Sequence, residues 1–189
     1  AMGKPNERSP YLGKRVFEQK PKVVKLKKRG FMKLSIQVDY AFRALIYLAT
    51  KPAASVREIS ETYGMPYSRV KKVVRCLEEE GYVRVAKGKG GGISLSRSPE
   101  KICLADVFCD IQPQIELVEC FNELTNTCPI SSVYRLKKVF KEAHQVFVDT
   151  LGNYSLADIT LNSTELTELM KINLARRGAE SRKPSQNVK

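Results

Sequence analysis

The sequence predicts a mainly α-helical fold with one small β-hairpin, and three observations lead to this prediction. Apolar residues recur with the period of amphipathic helices in two segments between residues 36 and 80, and a capping box opens a short helix between them. The period then changes to an alternation of two on either side of a glycine-rich turn, which predicts a hairpin. A heptad pattern at about residues 131–151 predicts one long helix.

The first two helices have clear start and stop signals. Ser35 can cap a helix over residues 36–50, which Pro52 stops. The stretch 55–58, Ser-Val-Arg-Glu, is a capping box that opens a short second helix, and Gly64 ends it.

The third helix is expected from a cap at Ser68 through Glu80, with Gly81 ending it. One face is apolar and should pack inward: Val70, Val73, Val74 and Leu77. The opposite face is basic: Arg69, Lys71, Lys72 and Arg75.

Two short strands are predicted at residues 82–85 and 93–96, joined by the turn 88–92. This turn is unlike the phosphate loop of nucleotide enzymes, because it lacks the Lys-Ser/Thr ending and precedes a strand. Three helices followed by a glycine-tipped hairpin form a winged helix-turn-helix, which we place at residues 32–98.

Residues 99–160 are predicted to form a second unit, with a helix at 99–111 and an irregular loop at 114–130. The long dimerisation helix then carries a seam with heptad spacing: Val133, Leu136, Phe140, Ala143, Phe147 and Thr150. Such a seam needs a partner helix, and the simplest source of that helix is a second copy of the chain in a homodimer. The alternative is that the helix packs on its own domain.

Both ends of the chain are basic. Residues 1–31 are expected to be a disordered leader, and the chain beyond Asp158 to be frayed, with residues 161–189 a basic tail. No run of 18 apolar residues is present, so we expect a cytoplasmic protein that makes no membrane contact.

The charge distribution points to nucleic acid. The chain carries a net charge of +13, and residues 32–98 hold 12 basic and 6 acidic residues. Residues 99–170 hold 5 and 11, so a basic half is joined to an acidic one. This polarity suits a DNA-facing module joined to a module that faces elsewhere.

The third helix should enter the major groove of double-stranded DNA, with its first turn at the base edges. Arg69 is the candidate for reading guanine, because its planar fork can contact O6 and N7 together. A solvated basic face is the alternative. The full set of expected DNA contacts is Tyr40, Arg43, Tyr67, Ser68, Arg69, Lys71, Lys72, Arg75, Lys87, Lys89, Gly90 and Gly91.

The sequence argues against an enzyme. The chain has one histidine, His144, and no serine–histidine–acid set stands out. Five cysteines, an odd number, argue against a closed disulfide framework. Cys76 and Cys103 lie beside apolar residues and are expected to be packing thiols.

Several separate blocks resemble the NsrR/IscR family of bacterial winged-helix repressors, with the nitric-oxide-sensing NsrR branch the nearer. The blocks are residues 32–45, 81–93, the helix ending at 110–111, and 153–158. The resemblance covers about residues 32–160. It implies a homodimer that binds a palindromic operator, and many members hold an iron–sulfur cluster, of the 2Fe-2S or 4Fe-4S type.

The cluster motif of this family has three cysteines, the last directly before an Arg-Leu pair. Cys120 and Cys128 match the first two, with seven residues between them. The third position is Tyr134, which cannot supply a thiolate, and the position of an IscR-type histidine is Lys137.

Two other residues are candidate ligands by the same resemblance. Asp39 matches an aspartate that serves as a cross-subunit ligand in some NsrR-type proteins. Cys109 could substitute if the fold brings it near the loop.

The sequence therefore predicts a transcriptional regulator, a repressor, that senses nitric oxide or redox state through the region of Cys120 and Cys128. Two alternatives stay open. One is a cluster-free thiol switch in which these cysteines form a disulfide. The other is a winged-helix module for protein assembly that binds DNA only weakly.

Overall fold

The computed structural model describes residues 34–88, 91–112 and 135–180 of the 189-residue chain. The basic leader, the wing-tip residues Lys89 and Gly90, and the loop with Cys120 and Cys128 lie outside the described residues. Predictions that fall on them stay predictions.

The first two helices form as the sequence predicts. Helix α1 spans Ile36–Ala49, and the Ser35 hydroxyl accepts the amide of Val38 at 3.3 Å. Helix α2 spans Val56–Tyr63 and begins with the predicted capping box between Ser55 and Glu58. Gly64 ends it in the left-handed conformation, with a φ of 64° that glycine adopts readily.

Helix α3 spans Tyr67–Glu79, and its predicted cap at Ser68 is wrong. The cap residue is Pro66, whose carbonyl accepts the amides of Arg69 and Val70 at 3.0 and 3.1 Å. Ser68 is thus already the second residue of the helix. The predicted apolar face is buried as expected: Val70, Val73, Val74 and Leu77.

The predicted hairpin consists of β1, Val83–Ala86, and β2, Gly92–Leu95, paired antiparallel with Val85 opposite Ile93. Ile93 also exchanges two backbone hydrogen bonds with Ala54, of 2.9 and 2.7 Å. The loop before α2 is therefore tied to the hairpin, and this fixes the wing against the three-helix core.

The predicted continuous helix at 99–111 is wrong in its first half. A single 3₁₀ turn, Pro99–Lys101, precedes helix α4, Leu104–Ile111. The stretch between them is extended because it pairs with a later segment. Leu156 donates its amide to the Ile102 carbonyl at 2.8 Å, and Leu104 donates to Tyr154 at 3.0 Å.

Helix α5, Arg135–Gly152, is the long helix that the heptad pattern predicts, and it packs on α4 of its own chain. The ring of Phe147 lies 5.1 Å from that of Phe108, edge to face, and Val148 is buried. The prediction that Phe147 belongs to a seam facing a partner helix is therefore wrong.

The expectation of a frayed chain beyond Asp158 is also wrong as far as residue 180, where the described residues end. Helix α6, Leu156–Ile159, has its own capping box, and helix α7, Ser163–Glu180, packs along α2. The core lies among the four helices α1, α2, α3 and α4 and the hairpin, and Met170 of α7 packs against it. Within the described ranges, no helix is both long and apolar enough to cross a bilayer.

Candidate nucleic-acid interface

Glu58 fixes the position of α2 relative to α1. Its Oε1 accepts the hydroxyl of Tyr47 at 2.8 Å and forms an ion pair with Lys51. Burial raises the pKa of Glu58, but the hydrogen bonds from Lys51 and Tyr47 outweigh it, so the pKa lies below the ordinary value of 4.5. The first helix of the helix-turn-helix is thus held at its start by a charged contact.

Helix α3 presents its basic face to solvent. Tyr67 is 51% exposed at the first position of the helix. The polar residues that follow on this face are exposed as well: Ser68, Arg69, Lys71, Lys72 and Arg75. Because the apolar face is fully packed, the helix is firmly mounted and offers one side to a ligand.

The four cations of this face differ in their ion pairing. The Arg75 guanidinium pairs with Glu79 at 2.8 Å, one turn further along α3, and this hydrogen bond raises the pKa of Arg75. Within the described part of the chain, Arg69, Lys71 and Lys72 form no ion pair. The first turn and a half of α3 therefore carries the charge available to phosphate, and Arg75 is partly neutralised.

Tyr40 of α1 lies next to the recognition face. It lines a shallow cleft between α1 and α3 together with Arg69 and Lys72. The predicted DNA contacts on α1 and α3 are therefore brought together here, although α1 precedes the helix-turn-helix in the sequence.

Arg43, one turn after Tyr40, is engaged by Asp39. Its Nη2 lies 2.9 Å from Oδ2, and its Nε donates to Oδ1 at 3.1 Å, so the contact is two-pronged. Tyr63 lies close by: burial raises the pKa of this phenol to about 12, and the Arg43 charge reduces that effect. The predicted DNA contact and the predicted metal ligand are thus paired with each other.

One glycine of the wing has a structural reason that does not involve DNA. A side-chain Cβ at Gly91 would lie 2.3 Å from the carbonyl oxygen of Ala86, so the hairpin itself requires glycine there. Gly88 adopts a φ of 101°, which also favours glycine. Lys87 is exposed next to this turn, as a phosphate contact must be.

Sequence analysis missed Arg84, an exposed cation on β1 whose Nε donates to the Ser94 hydroxyl at 3.0 Å. The strand alternation could have revealed it, because successive side chains of a strand point to opposite faces and Arg84 stands between the apolar residues Val83 and Val85. Arg84 adds a charge to the same hairpin that carries Lys87.

The described residues do not assemble a metal centre. In these ranges no three His, Cys, Asp or Glu side chains come together to hold a metal ion. Cys109 is half-buried on α4, and burial, followed by the Asp110 and Asp106 carboxylates, raises the pKa of its thiol above 9.0. A protonated thiol and an aspartate held by Arg43 do not fit a cluster by themselves.

Among the described residues, the two other cysteines and the histidine occupy packing positions. Cys103 is fully buried in the core, and Cys76 lies half-buried on α3 with its sulfur 3.6 Å from the Gln37 amide nitrogen. His144 lies between α5 and α4, its ring 6.4 Å from that of Phe108. Its Nε2 is buried and has no hydrogen-bond partner among the described residues.

Comparison with known proteins identifies the family to which this chain is similar. The sequence pattern of the Rrf2 family, described as an iron-dependent transcriptional regulator, matches residues 34–162. The chain is 38% identical over 144 residues to the HTH-type transcriptional regulator NsrR of Halalkalibacterium halodurans, covering 75% of this chain and 99% of that protein. It is 35% identical over 144 residues to NsrR of Bacillus subtilis, with the same coverage.

Solved structures agree on the fold. The IscR of T. potens superposes with a TM-score of 0.57 at 20% identity, covering 71% of this chain and 90% of that one. CymR, the global cysteine regulator of B. subtilis, gives a TM-score of 0.51 at 21% identity, covering 70% and 98%. The chain therefore belongs to the Rrf2 family, and it is a DNA-binding transcriptional regulator of the NsrR type, not an enzyme.

Proposed function

We propose that the chain is a homodimeric repressor that binds a palindromic operator and changes its DNA affinity with nitric oxide or redox state. The observation that carries the DNA contact is the exposed basic start of α3, where Arg69, Lys71 and Lys72 form no ion pair with any described residue. A helix of this kind reads base edges from its first turns, and a wing of exposed cations holds phosphates beside it.

A second copy of the chain is supported by the outer face of α5. Val139 and Val146 are 54% and 47% exposed, although both are large and apolar. With Ala143 and Thr150, which are also exposed, they recur at spacings of four, three and four. This heptad seam shares Ala143 and Thr150 with the one that the sequence predicts, and a second α5 would cover it.

Two copies would also explain how a single recognition helix gains specificity. In a two-fold dimer, the two α3 helices reach two half-sites. The centres of these half-sites lie one helical turn of DNA apart, roughly 34–36 Å. A palindromic operator matches this symmetry, and any change in how the two α5 helices cross would change the spacing of the two α3 helices.

We assign the sensing to Cys120 and Cys128, which lie in the segment between α4 and α5. Because the described residues do not fit a cluster alone, an iron–sulfur cluster would depend on these two cysteines. A disulfide between them is the other chemical form, and it requires their Cα atoms to approach within roughly 7 Å.

Protein purified without oxygen tests this assignment. Visible absorbance with matching iron and sulfide content supports the cluster. Colourless protein that loses two hydrogens after mild oxidation, measured by mass spectrometry, supports the disulfide. The affinity for operator DNA should change on treatment with nitric oxide or oxidant in either case. An affinity that stays constant, with neither signature present, would refute sensing and leave a constitutive DNA-binding protein.

A further inference from the structure

Helix α7 lies along the first helix of the helix-turn-helix. Leu166, Met170 and Leu174 recur at four-residue spacing and are each half-buried, so they form one packed stripe. Helix α7 packs on α2 through this side. The family match ends at residue 162, so this helix is an addition to the matched region.

Two contacts fix the direction of α7. The Met170 sulfur lies 3.9 Å from the Thr50 hydroxyl, at the end of α1. Seven residues later the Arg177 guanidinium lies against Gly64, so close that a Cβ at this glycine would come within 1.9 Å of Nη1. Since seven residues of helix span about 10 Å, α7 runs beside α2 toward the turn that precedes α3.

The charge of α7 is divided along its length. Near its start it carries Glu165 and Glu168, whereas near its end it carries Arg176 and Arg177, both exposed, before the helix closes with Glu180. The sequence then continues with further cations, so residues 171–189 hold six basic residues against one acidic residue. The basic end is therefore the end that reaches the helix-turn-helix.

This end lies next to the start of the recognition helix. Gly64 is three residues before Tyr67, so their Cα atoms are at most about 11 Å apart. The major groove that receives such a helix is roughly 12 Å wide between its phosphate walls. A cation placed against Gly64 is thus within reach of the backbone on one side of the groove.

We propose that the basic end of α7, formed by Arg176 and Arg177, is an accessory contact for the phosphate backbone of double-stranded DNA. It flanks the groove that α3 enters, and it extends the interface of α3 and the wing to a third element. The inference rests on DNA binding by the winged helix, which it deepens.

A purely structural role for Arg177 does not account for the basic character of this end of the chain. Arg177 stands at the carboxyl end of α2, where a positive charge is favoured by the helix dipole. That role concerns Arg177 alone, and it gives no reason for the further cations that follow in the sequence, Arg182, Lys183 and Lys189.

The test is the salt dependence of DNA binding by the full chain. The variant Arg176→Gln/Arg177→Gln is compared with wild type on an operator duplex and on a 30-base-pair duplex of random sequence. Each lost phosphate contact lowers the slope of log K against log salt by about 0.9. We therefore expect a slope smaller by about 1–2 and roughly tenfold weaker binding at 0.1 M salt, on both duplexes.

Matched variants separate contact from net charge and from folding. Lys101→Gln/Lys141→Gln removes the same charge from exposed positions in the other half of the chain, and its slope should match wild type. Arg176→Lys/Arg177→Lys keeps the charge and should keep the slope. Circular dichroism and thermal midpoints confirm that each variant is folded.

An unchanged slope in a folded Arg176→Gln/Arg177→Gln variant would overturn the proposal, as would tighter binding, which would make α7 an inhibitory element. A wild-type chain that binds neither duplex would instead count against the proposed function. The two failures are therefore distinguishable.

Discussion

The Tyr82 phenol donates a hydrogen bond to Oδ2 of Asp110 across 2.5 Å, and this contact joins the base of the wing to the last turn of α4. Tyr82 is 1% exposed, and the Arg97 guanidinium lies 4.6 Å from the centre of its ring. Burial, followed by the hydrogen bond to Asp110, raises the pKa of Tyr82 far above its ordinary value. In the sequence, α4 is followed by the segment with the two candidate sensor cysteines, so this bond joins the wing to the helix that precedes that segment.

Removing the phenol should therefore weaken that connection. We expect Tyr82→Phe to lower the free energy of unfolding by roughly 1–3 kcal/mol, because the hydrogen bond has a charged acceptor. Urea unfolding of Tyr82→Phe, Asp110→Asn and the double variant measures the coupling between the two side chains. Tyr154→Phe, at an exposed position, is the control and should stay within about 0.5 kcal/mol of wild type. Additive effects in the double variant would show that the bond contributes nothing.

The limits of prediction from sequence follow from where each signal resides. The caps at Ser35 and Ser55 were predictable because a cap is a local contact between residues three apart. The break at Ile102 and Cys103 was not, because a strand-like pairing with residues 154–156 overrides the helical pattern. The basic face of α3 followed from its periodicity, whereas the place of Tyr40 beside it depends on tertiary packing.

The C-terminal helix shows the same limit more strongly. Its apolar residues occur on more than one side, with Leu169 and Ile172 more than half exposed, so the sequence shows no clean amphipathic stripe. Only the contact with α2 identifies which residues face inward. The prediction of a frayed tail failed because the docking surface is distant in sequence.

The recognition helix is tested by comparing two cations. Arg69→Ala should weaken binding to the cognate operator by about 1–3 kcal/mol and relax the preference at one base pair. Lys87→Ala removes a charge beside the wing turn and should weaken all sequences alike. Competition binding with a set of single-base operator variants measures both. If Arg69→Ala binds every duplex as well as wild type does, α3 does not read bases through this residue.

The outer face of α5 is tested by a charge in the exposed seam. Val146→Asp should produce a monomer, because dimerisation would bury an unpaired carboxylate. The residue is half exposed in the single chain, so the fold should be retained. Sedimentation at micromolar concentration measures the mass, and Thr164→Asp, an exposed position on α7, is the matched control. A wild-type chain that sediments as a monomer would refute the homodimer.

The contacts of Glu58 at the start of α2 predict how the free energy of unfolding depends on pH in the acid range. Since the folded pKa of Glu58 lies below its unfolded value, the group stabilises the fold above the unfolded pKa of about 4.5. This contribution is lost as the pH falls through the lower folded pKa. Glu58→Gln should thus be less stable than wild type near pH 7, and the two should converge on acidification. Urea midpoints between pH 7 and pH 3 measure this. Glu61→Gln, an exposed position on the same helix, should show no such convergence.

Cysteine variants locate the sensor. Because burial and the Asp110 and Asp106 carboxylates keep the Cys109 thiol protonated at neutral pH, it is a poor nucleophile and a poor ligand in this state. We therefore expect Cys109→Ser to retain the response of DNA affinity to nitric oxide or oxidant. Cys120→Ser and Cys128→Ser should each abolish that response, and iron content with it where iron is present. Fluorescence anisotropy of labelled operator DNA, before and after treatment, measures the response. A response that survives in both of these variants but disappears in Cys109→Ser would move the sensor from the segment between α4 and α5 onto α4 itself.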